Sequence, residues 1–391
     1  MPKLPGPRRL HGLTAPTGDA VLTTLLPALA AALDGAGPAL LPLPSGGTRR
    51  AVLAALDPDV ALERDDVALV VPTSGSTGEP KGALLRADAL RHSARATHER
   101  LGGAGQWLLA LPVTSVAGLM VLVRSLVGRT RPEVIDLYGG FDVAAFVDAT
   151  ARLHPGLRHY TSLVPTQLHR LLEAGADLSA YDAVLVGGAA LSAELHARAG
   201  DRGVRVVTTY GMTETCGGCA YDGVALDGVD ISVASDGRIG IAGPVVFSGY
   251  RLRPDLTAQA LVAGRHVTQD LGSWSPDGLL QVLGRADDVV VSGGVSVPAA
   301  MVERVLTGHP EVAVCAVVAR SDAEWGERVV AVVQPRVASR APTLEDLRAF
   351  GADRLPPGAL PRELVVLGML PVLASGKPDK PAVRSLVAAR T

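Results

Sequence analysis

Between residue 65 and about residue 215 the chain alternates two kinds of apolar pattern. Continuous apolar runs at Val67–Val71, Trp107–Leu111, Val134–Leu137, Tyr160–Val164, Ala183–Val186 and Val204–Thr208 read as buried strands. Between them, stretches at 87–101, 117–127, 141–153, 165–174 and 192–199 read as helices. This alternation predicts an α/β fold, a mainly parallel sheet covered by helices. Ligands of such sheets bind beyond the carboxyl ends of the strands. Three glycine- or hydroxyl-rich loops fall at that edge, at 73–82, 187–190 and 209–218.

From about 219 to 285 short apolar runs alternate with turns such as Asp236-Gly237 and Asp277-Gly278, the pattern of a small antiparallel β unit. A third pattern follows. Helices at 298–306 and 343–353, with strands at 312–319, 328–334 and 364–367, predict a compact α+β domain. The expected division is a large N-terminal domain, 1–285, with its β-rich part at 219–285, and a smaller C-terminal domain, 286–391. The early apolar run Val21–Leu33 contains Pro27 and follows Asp19. A secretory signal would carry positive charge there, so a helix of the globular domain is expected.

Composition narrows the function classes. A net charge of −2 and no long basic run give nucleic-acid binding little electrostatic support. Hydrophobic residues at 48% can fill sizeable cores, and no run is long enough to span a bilayer. Three cysteines make no disulfide framework, which points to a reducing cytoplasm. Of 37 Lys and Arg, only Lys3, Lys81, Lys377 and Lys380 are lysines. A lysine that persists in a glycine-rich loop is expected to need its compact point charge.

Lys81 is such a lysine, in Thr73-Ser74-Gly75-Ser76-Thr77-Gly78-Glu79-Pro80-Lys81-Gly82. A flexible loop of hydroxyls and backbone N–H groups at the end of a strand suits phosphate oxygens. It is not a Walker A loop, because Pro80 precedes the lysine and Gly82 follows it. Lys377 lies in a second such place, Ala374-Ser375-Gly376-Lys377-Pro378.

Six segments in order carry a resemblance. Besides Thr73–Gly82 they are Gly187-Gly188-Ala189, Tyr210-Gly211-Met212-Thr213-Glu214, Asp270-Leu271-Gly272, Gly284-Arg285-Ala286-Asp287-Asp288 and Gly376-Lys377. Over about residues 65–391 the chain resembles the adenylate-forming acyl-CoA synthetases. Within them it is similar to the 2-succinylbenzoate–CoA ligases of menaquinone biosynthesis, through Thr161–Leu168, Thr213–Cys219 and Leu122–Leu126.

The resemblance implies a ligase that uses ATP, Mg²⁺ and CoA to activate an aromatic carboxylic acid through an acyl-AMP. A homodimer is compatible with it. Thr73, Ser74, Gly75, Ser76, Thr77, Gly78 and Lys81 would hold the β- and γ-phosphates. Thr213 would touch the α-phosphate and Glu214 would bind Mg²⁺, a hard cation suited to oxygen ligands. Gly187, Gly188 and Ala189 would line the adenine, with Tyr210, Gly211 and Met212 completing the ATP site. Asp270 would accept from the ribose and Arg285 would support ribose or phosphate; the plainer reading of these two is a surface ion pair. Lys377 would be the catalytic cation bridging carboxylate and α-phosphate. Asp287 would be the hinge of a mobile C-terminal domain, and Gly293 and Gly294 would meet the CoA arm. Lys380 reads as a solvated tail lysine.

Thr114, Ser115, Ser162, Gly217 and Gly218 are expected in the acyl pocket, with Cys216 and Cys219 shaping it rather than holding zinc. Thr114 and Ser115 depart from the histidines usual in close relatives, which puts substrate choice in doubt. The same stretch lacks the carboxylate that would pair with an amino-acid ammonium. Arg124 is either the partner of a second substrate carboxylate or an exposed helix arginine. Two other readings stand beside the leading one. They are a ligase for another aromatic or acyl acid, including carrier-protein loading, and a nucleotide-binding homologue without catalysis.

Overall fold

The computed structural model describes residues 8–74, 80–372 and 378–390. Gly75, Ser76, Thr77, Gly78 and Lys377 therefore lie outside the described residues. The chain gathers into two compact units. One comprises Met1–Leu191, Ala197–Ser232 and Gly240–Thr268; the other comprises Ser192–His196, Val233–Ile239 and Gln269–Thr391.

The first unit opens with a four-stranded sheet in the order β1 (Leu10–Thr14), β2 (Ala39–Leu43), β3 (Val67–Ser74), β4 (Pro80–Arg86). The first three run parallel, and β4 turns back antiparallel to β3. Helices α1 (Leu26–Leu33), α2 (Thr48–Leu56) and α3 (Ala87–Leu101) accompany this sheet. Leu41, Leu43, Leu56, Val67 and Val70 form part of its core. The helix expected over Val21–Leu33 is built in two pieces, a π-helical turn at Val21–Leu25 and then α1. Pro27 explains the break: it has no N–H for the i−4 carbonyl, so it sits in the first turn of the second piece.

The hairpin β3–β4 corrects the reading of 73–82 as one loop. Thr73 pairs with Lys81, and Pro72 with Gly82, so the flanks of the segment are strand. Gly82 permits this pairing, since a Cβ there would lie 2.7 Å from Leu56 and 2.8 Å from Val70.

A second sheet follows: β5 (Gln106–Leu109), β6 (Glu133–Val134), β7 (His159–Leu163), β8 (Ala183–Val186), β9 (Val206–Met212), β10 (Gly217–Tyr221) and β11 (Val224–Ala225). Its order is β11-β10-β9-β8-β7-β5-β6. The strands from β5 to β9 are parallel, as the alternation predicts, while β10 and β11 return antiparallel. Between them run α4 (Val116–Gly128), α5 (Val143–Ala151), α6 (Pro165–Glu173) and α7 (Ala193–Asp201). The short elements β12 (Asp230–Val233), β13 (Arg238–Ala242), α8 (Pro254–Ala260) and β14 (Leu261–Val262) lead to β15 (Arg265–Trp274) and β16 (Leu280–Arg285). Strand β15 pairs antiparallel with β14 and with β16.

In the second unit, β17 (Val289–Ser292), β18 (Val295–Pro298), β19 (Val312–Asp322), β20 (Gly326–Pro335) and β21 (Glu363–Val366) form a mixed sheet, joined by α9 (Ala299–Thr307), α10 (Leu344–Gly351) and α11 (Lys380–Ala388). Strand β20 shows why its apolar run is unbroken. Val329, Ala331 and Val333 face one core with Val302, Leu306 and Leu347, while Val330 and Val332 face another with Val383 and Val387. Successive side chains point to opposite faces, and both faces are covered. Each buried valine contributes roughly 1.5–3 kcal/mol of transfer free energy. Among the described residues no helix is long and apolar enough to cross a membrane. The mixed α/β class with a large N-terminal and a smaller C-terminal domain is as the sequence predicts.

Candidate active site

Strands β8 and β9 are parallel neighbours, so their carboxyl ends emerge side by side. Gly187, Gly188 and Ala189 follow β8, and Thr213 and Glu214 follow β9 in a single 3₁₀ turn. The backbones here are too close for side chains. A Cβ at Gly187 would lie 2.1 Å from Thr209 Oγ1, and one at Gly211 2.1 Å from the Gly217 carbonyl. Gly188 also has φ +76°, a region glycine occupies freely. Tyr210, Gly211 and Met212 are in β9, with Met212 opposite Gly217. The turn is held by Thr215, whose Oγ1 accepts from the Met212 N–H at 3.0 Å.

Glu214 meets a partner that the sequence motifs do not contain. Tyr250 Oη donates to Glu214 Oε1 at 2.6 Å. Lys81 Nζ stands over the same tyrosine ring, 5.4 Å from its centroid. Burial, and then the neighbouring Glu214 carboxylate, push the Tyr250 phenol far above its ordinary value, so it remains a donor. Backbone hydrogen bonds dock this segment on β4: Leu84 N–H to Gly249 O at 2.9 Å and Arg251 N–H to Gly82 O at 2.7 Å. Arg251 is fully buried, and its guanidinium donates to Glu63 and to the carbonyls of Leu56, Asp57, Val60 and Ala61. Aromatic residues are only 3% of the chain, so Phe247 and Tyr250, three positions from one another, were the signal available in the sequence. Their rings pack edge to face at 4.9 Å.

Of the expected acyl-pocket residues, Ser162 is joined to Tyr221 through Arg124, and a Cβ at Gly218 would lie 2.6 Å from the Tyr221 ring. Ser115 is the N-cap of α4; its Oγ accepts from the Gly118 N–H at 3.2 Å and donates to Pro112 O at 2.8 Å. Thr114 lines a cavity of about 230 Å³ with Pro16, Thr17, Val21 and Leu137; Ser162, Gly217 and Gly218 do not line it. Ser162 lies near Arg124. The Arg124 side chain is 4% exposed, which removes its reading as an exposed helix arginine. Its Nη atoms make long hydrogen bonds to Ser162 Oγ (3.4 Å) and Tyr221 Oη (3.3 Å), and the guanidinium lies 4.9 Å from the Trp107 ring. No carboxylate pairs with it among the described residues, and Nε has no partner. Burial lowers its pKa. His98 nearby is held neutral, its pKa pushed down to about 4 by burial and then by the Arg124 charge. Cys216 and Cys219 are both buried, and burial keeps Cys216 protonated. Cys216 sits at φ +52°, an unusual conformation for a side chain with a Cβ.

In the second unit, Asp270 and Arg285 face one another across β15 and β16 and form an ion pair at 3.6 Å. Arg285 binds Asp287 more tightly, through two bonds of 2.8 and 2.7 Å. This fork holds the Asp287 carboxyl below its usual range. Gly293 and Gly294 form the two-residue turn of the β17–β18 hairpin, at φ +59° and +78°. A Cβ at Gly293 would lie 2.8 Å from Trp325, whose ring stacks on Arg362 at 3.6 Å. Lys380 is not a solvated tail lysine: its ammonium binds Asp288 Oδ2 and, at 2.7 Å, Glu303 Oε1, and it is 20% exposed. Both carboxylates are only 18% exposed, and Glu303, on α9, also accepts from the Val317 N–H of β19 at 2.8 Å. Lys377 lies outside the described residues, but the chain on either side of it closes at a Val372–Pro378 bridge and an Asp379 N–H to Pro371 O bond of 2.9 Å.

This fold, and a turn that presents Glu214 beside Lys81, are those of a nucleotide-activating enzyme. Residues 19–253 match the AMP-binding enzyme family and residues 301–377 the AMP-binding enzyme C-terminal domain. The chain belongs to the AMP-binding enzyme family. It is 45% identical over 381 residues to a probable 2-succinylbenzoate–CoA ligase of Mycobacterium tuberculosis, covering 96% of this chain and 97% of that one. Among solved structures it is similar to o-succinylbenzoate CoA synthetase (MenE) of Bacillus subtilis in complex with the acyl-adenylate intermediate OSB-AMP. That match has 26% identity and a TM-score of 0.74, covering 92% of this chain and 81% of the other. The same enzyme with ATP and magnesium ion matches at 27% identity and TM-score 0.72, covering 83% and 72%.

Proposed function

We propose that the chain is an AMP-forming acid–CoA ligase whose acid is 2-succinylbenzoate. In the first step a carboxylate oxygen attacks the α-phosphorus of ATP, and the bond to pyrophosphate breaks. In the second the CoA sulfur attacks the acyl carbon, AMP leaves, and the thiol proton goes to solvent. Lys81, with the hydroxyls of 73–77, neutralises the β- and γ-phosphates. Thr213 and the glycines at 187–188 and 211 receive the α-phosphate and adenosine, and Asp270 and Arg285 receive the ribose. Lys377 supplies positive charge where the carboxylate meets phosphorus. Asp287 serves as the hinge, and Gly293 and Gly294 meet the CoA arm.

Magnesium fits this site as a nucleotide-borne ion. Among the described residues no group of three or more His, Cys, Asp or Glu side chains could hold a metal ion by itself. Mg²⁺ is commonly held by one or two carboxylates plus substrate phosphates. When bound it would offset phosphate charge.

The observation that carries the choice of acid is Arg124. A buried guanidinium without a counter-ion is costly, and the cost is relieved when an anion binds beside it. The carboxylate of 2-succinylbenzoate that is not activated is such an anion. Pyrophosphate release should be measured with ATP, Mg²⁺ and a panel of acids, with and without CoA. We expect release with 2-succinylbenzoate. Arg124→Met should raise its KM roughly tenfold or more, the worth of a charged hydrogen bond, while leaving the KM of a monocarboxylate analogue unchanged. Release with benzoates but not 2-succinylbenzoate would point to another aromatic acid. No release with any acid would sink the ligase reading.

A further inference from the structure

We propose that Tyr250 is a positioning residue that sets Glu214 and Lys81 for a nucleoside triphosphate and its divalent cation. The inference rests on the reading of those two groups given above. It starts from a problem of charge. A lysine and a glutamate brought to one place tend to pair with each other, and a paired lysine and glutamate have spent the charge that phosphate and cation require. Here no Lys81–Glu214 ion pair closes, and one aromatic side chain engages both. The edge of the ring gives its hydroxyl proton to Glu214 Oε1 at 2.6 Å, leaving Oε2 to other ligands. The face of the ring holds the Lys81 ammonium at 5.4 Å, within cation–π range and without a hydrogen bond to any described residue, so this contact uses none of its three N–H donors.

The ring is itself fixed from several directions. Ala83 and Tyr250 form an antiparallel bridge that ties the tyrosine to the strand carrying Lys81. The Tyr250 N–H donates to Thr257 Oγ1 at 2.8 Å. Gly249 at φ +132° leaves no room for a Cβ, which would lie 2.6 Å from Thr257. Phe247 packs on the ring, and its N–H donates to the Glu214 carbonyl at 2.8 Å, so the backbone and carboxylate of Glu214 are both held by the 247–250 segment. The orientation of both charges is thus built in before any ligand arrives.

The test is calorimetric binding of ATP to the full-length protein across a Mg²⁺ series, with AMP as the comparison ligand. Tyr250→Phe removes only the hydroxyl. It should weaken Mg²⁺-ATP binding roughly tenfold, raise the Mg²⁺ concentration needed for half-maximal binding, and leave AMP affinity within about twofold, since AMP lacks the β- and γ-phosphates. Tyr250→Leu, which also removes the ring face, should lose more. In a Glu214→Gln background Tyr250→Phe should cost little further, because the two act as one unit. The proposal is overturned if Tyr250→Phe binds Mg²⁺-ATP like the parent, if it loses AMP and Mg²⁺-ATP in equal measure, or if its effect adds in full to that of Glu214→Gln. If Lys81→Met and Glu214→Gln themselves leave Mg²⁺-ATP binding intact, the underlying reading of the phosphate site falls, and this proposal with it.

Discussion

Arg124 carries the clearest conflict between stability and use at the scale of single residues. An unpaired buried cation weakens the folded state, so Arg124→Met should leave the free protein as stable as the parent or up to about 2 kcal/mol more so. Urea unfolding of the ligand-free proteins checks this; a loss of stability above about 2 kcal/mol would mean the guanidinium is structural. The cysteines give a second expectation. Cys216, Cys219 and Cys315 are buried, and burial pushes Cys216 and Cys315 well above the usual thiol range. A thiol reagent should label them only slowly in the native protein and rapidly in denaturant. A fast-reacting native thiol would contradict the packing of the 216–219 turn. At this scale the sequence announced Lys81 and Glu214 by scarcity and spacing. It marked Tyr250 only as one of a few aromatics, because a tyrosine that orients others looks like any core aromatic until its neighbours are known.

Secondary elements were legible where one apolar face or a continuous apolar run set them. Helix α3 spans Ala87–Leu101, the predicted range, and β8 spans Ala183–Val186, also as predicted. The reading failed where pairing decided. Lys81 was placed in a loop because glycine and proline surround it, yet cross-strand bonds to Thr73 extend β4 through that position. Ser115 shows the same lesson at a helix end. Beyond the pocket position expected of it, it caps α4, a role that only the folded helix reveals. Ser115→Ala should therefore cost about 1 kcal/mol, Ser115→Asp should retain most of it, and neither should change acid preference. Thermal unfolding beside an acid panel measures both; a shift of preference at unchanged stability would support the pocket role.

At the scale of the whole molecule, the proposed role of Lys377 is separable by experiment from that of the phosphate site. Lys377→Ala should lose adenylation by a hundredfold or more, the order seen when one preorganised charge is removed, yet still convert a preformed acyl-AMP with CoA. Equal loss of both half-reactions would refute that separation. The pH dependence of stability offers another measurement. Glu303 is raised above its ordinary 4.5 by burial, against the opposing pull of Lys380. In the window between 4.5 and its higher folded value the native state holds the proton that the unfolded chain has released. Its contribution therefore favours folding at the acid end of that window and fades as pH rises through it. Glu303→Gln should flatten that part of the curve of denaturation midpoint against pH; an unchanged slope would count against the assignment.

The sequence alone determined the α/β class, the order of the nucleotide-site segments and the class of reaction, because these rest on local periodicity and on short motifs whose residues are near one another in the chain. Only the tertiary structure decided which charges meet. Tyr250 reaches Glu214 across 36 positions, Lys380 reaches Asp288 across 92, and Arg124 is stripped of water by Trp107, Ser162 and Tyr221 from three separate strands. Burial and pairing are properties of such long-range packing, and no pattern within a window of residues encodes them.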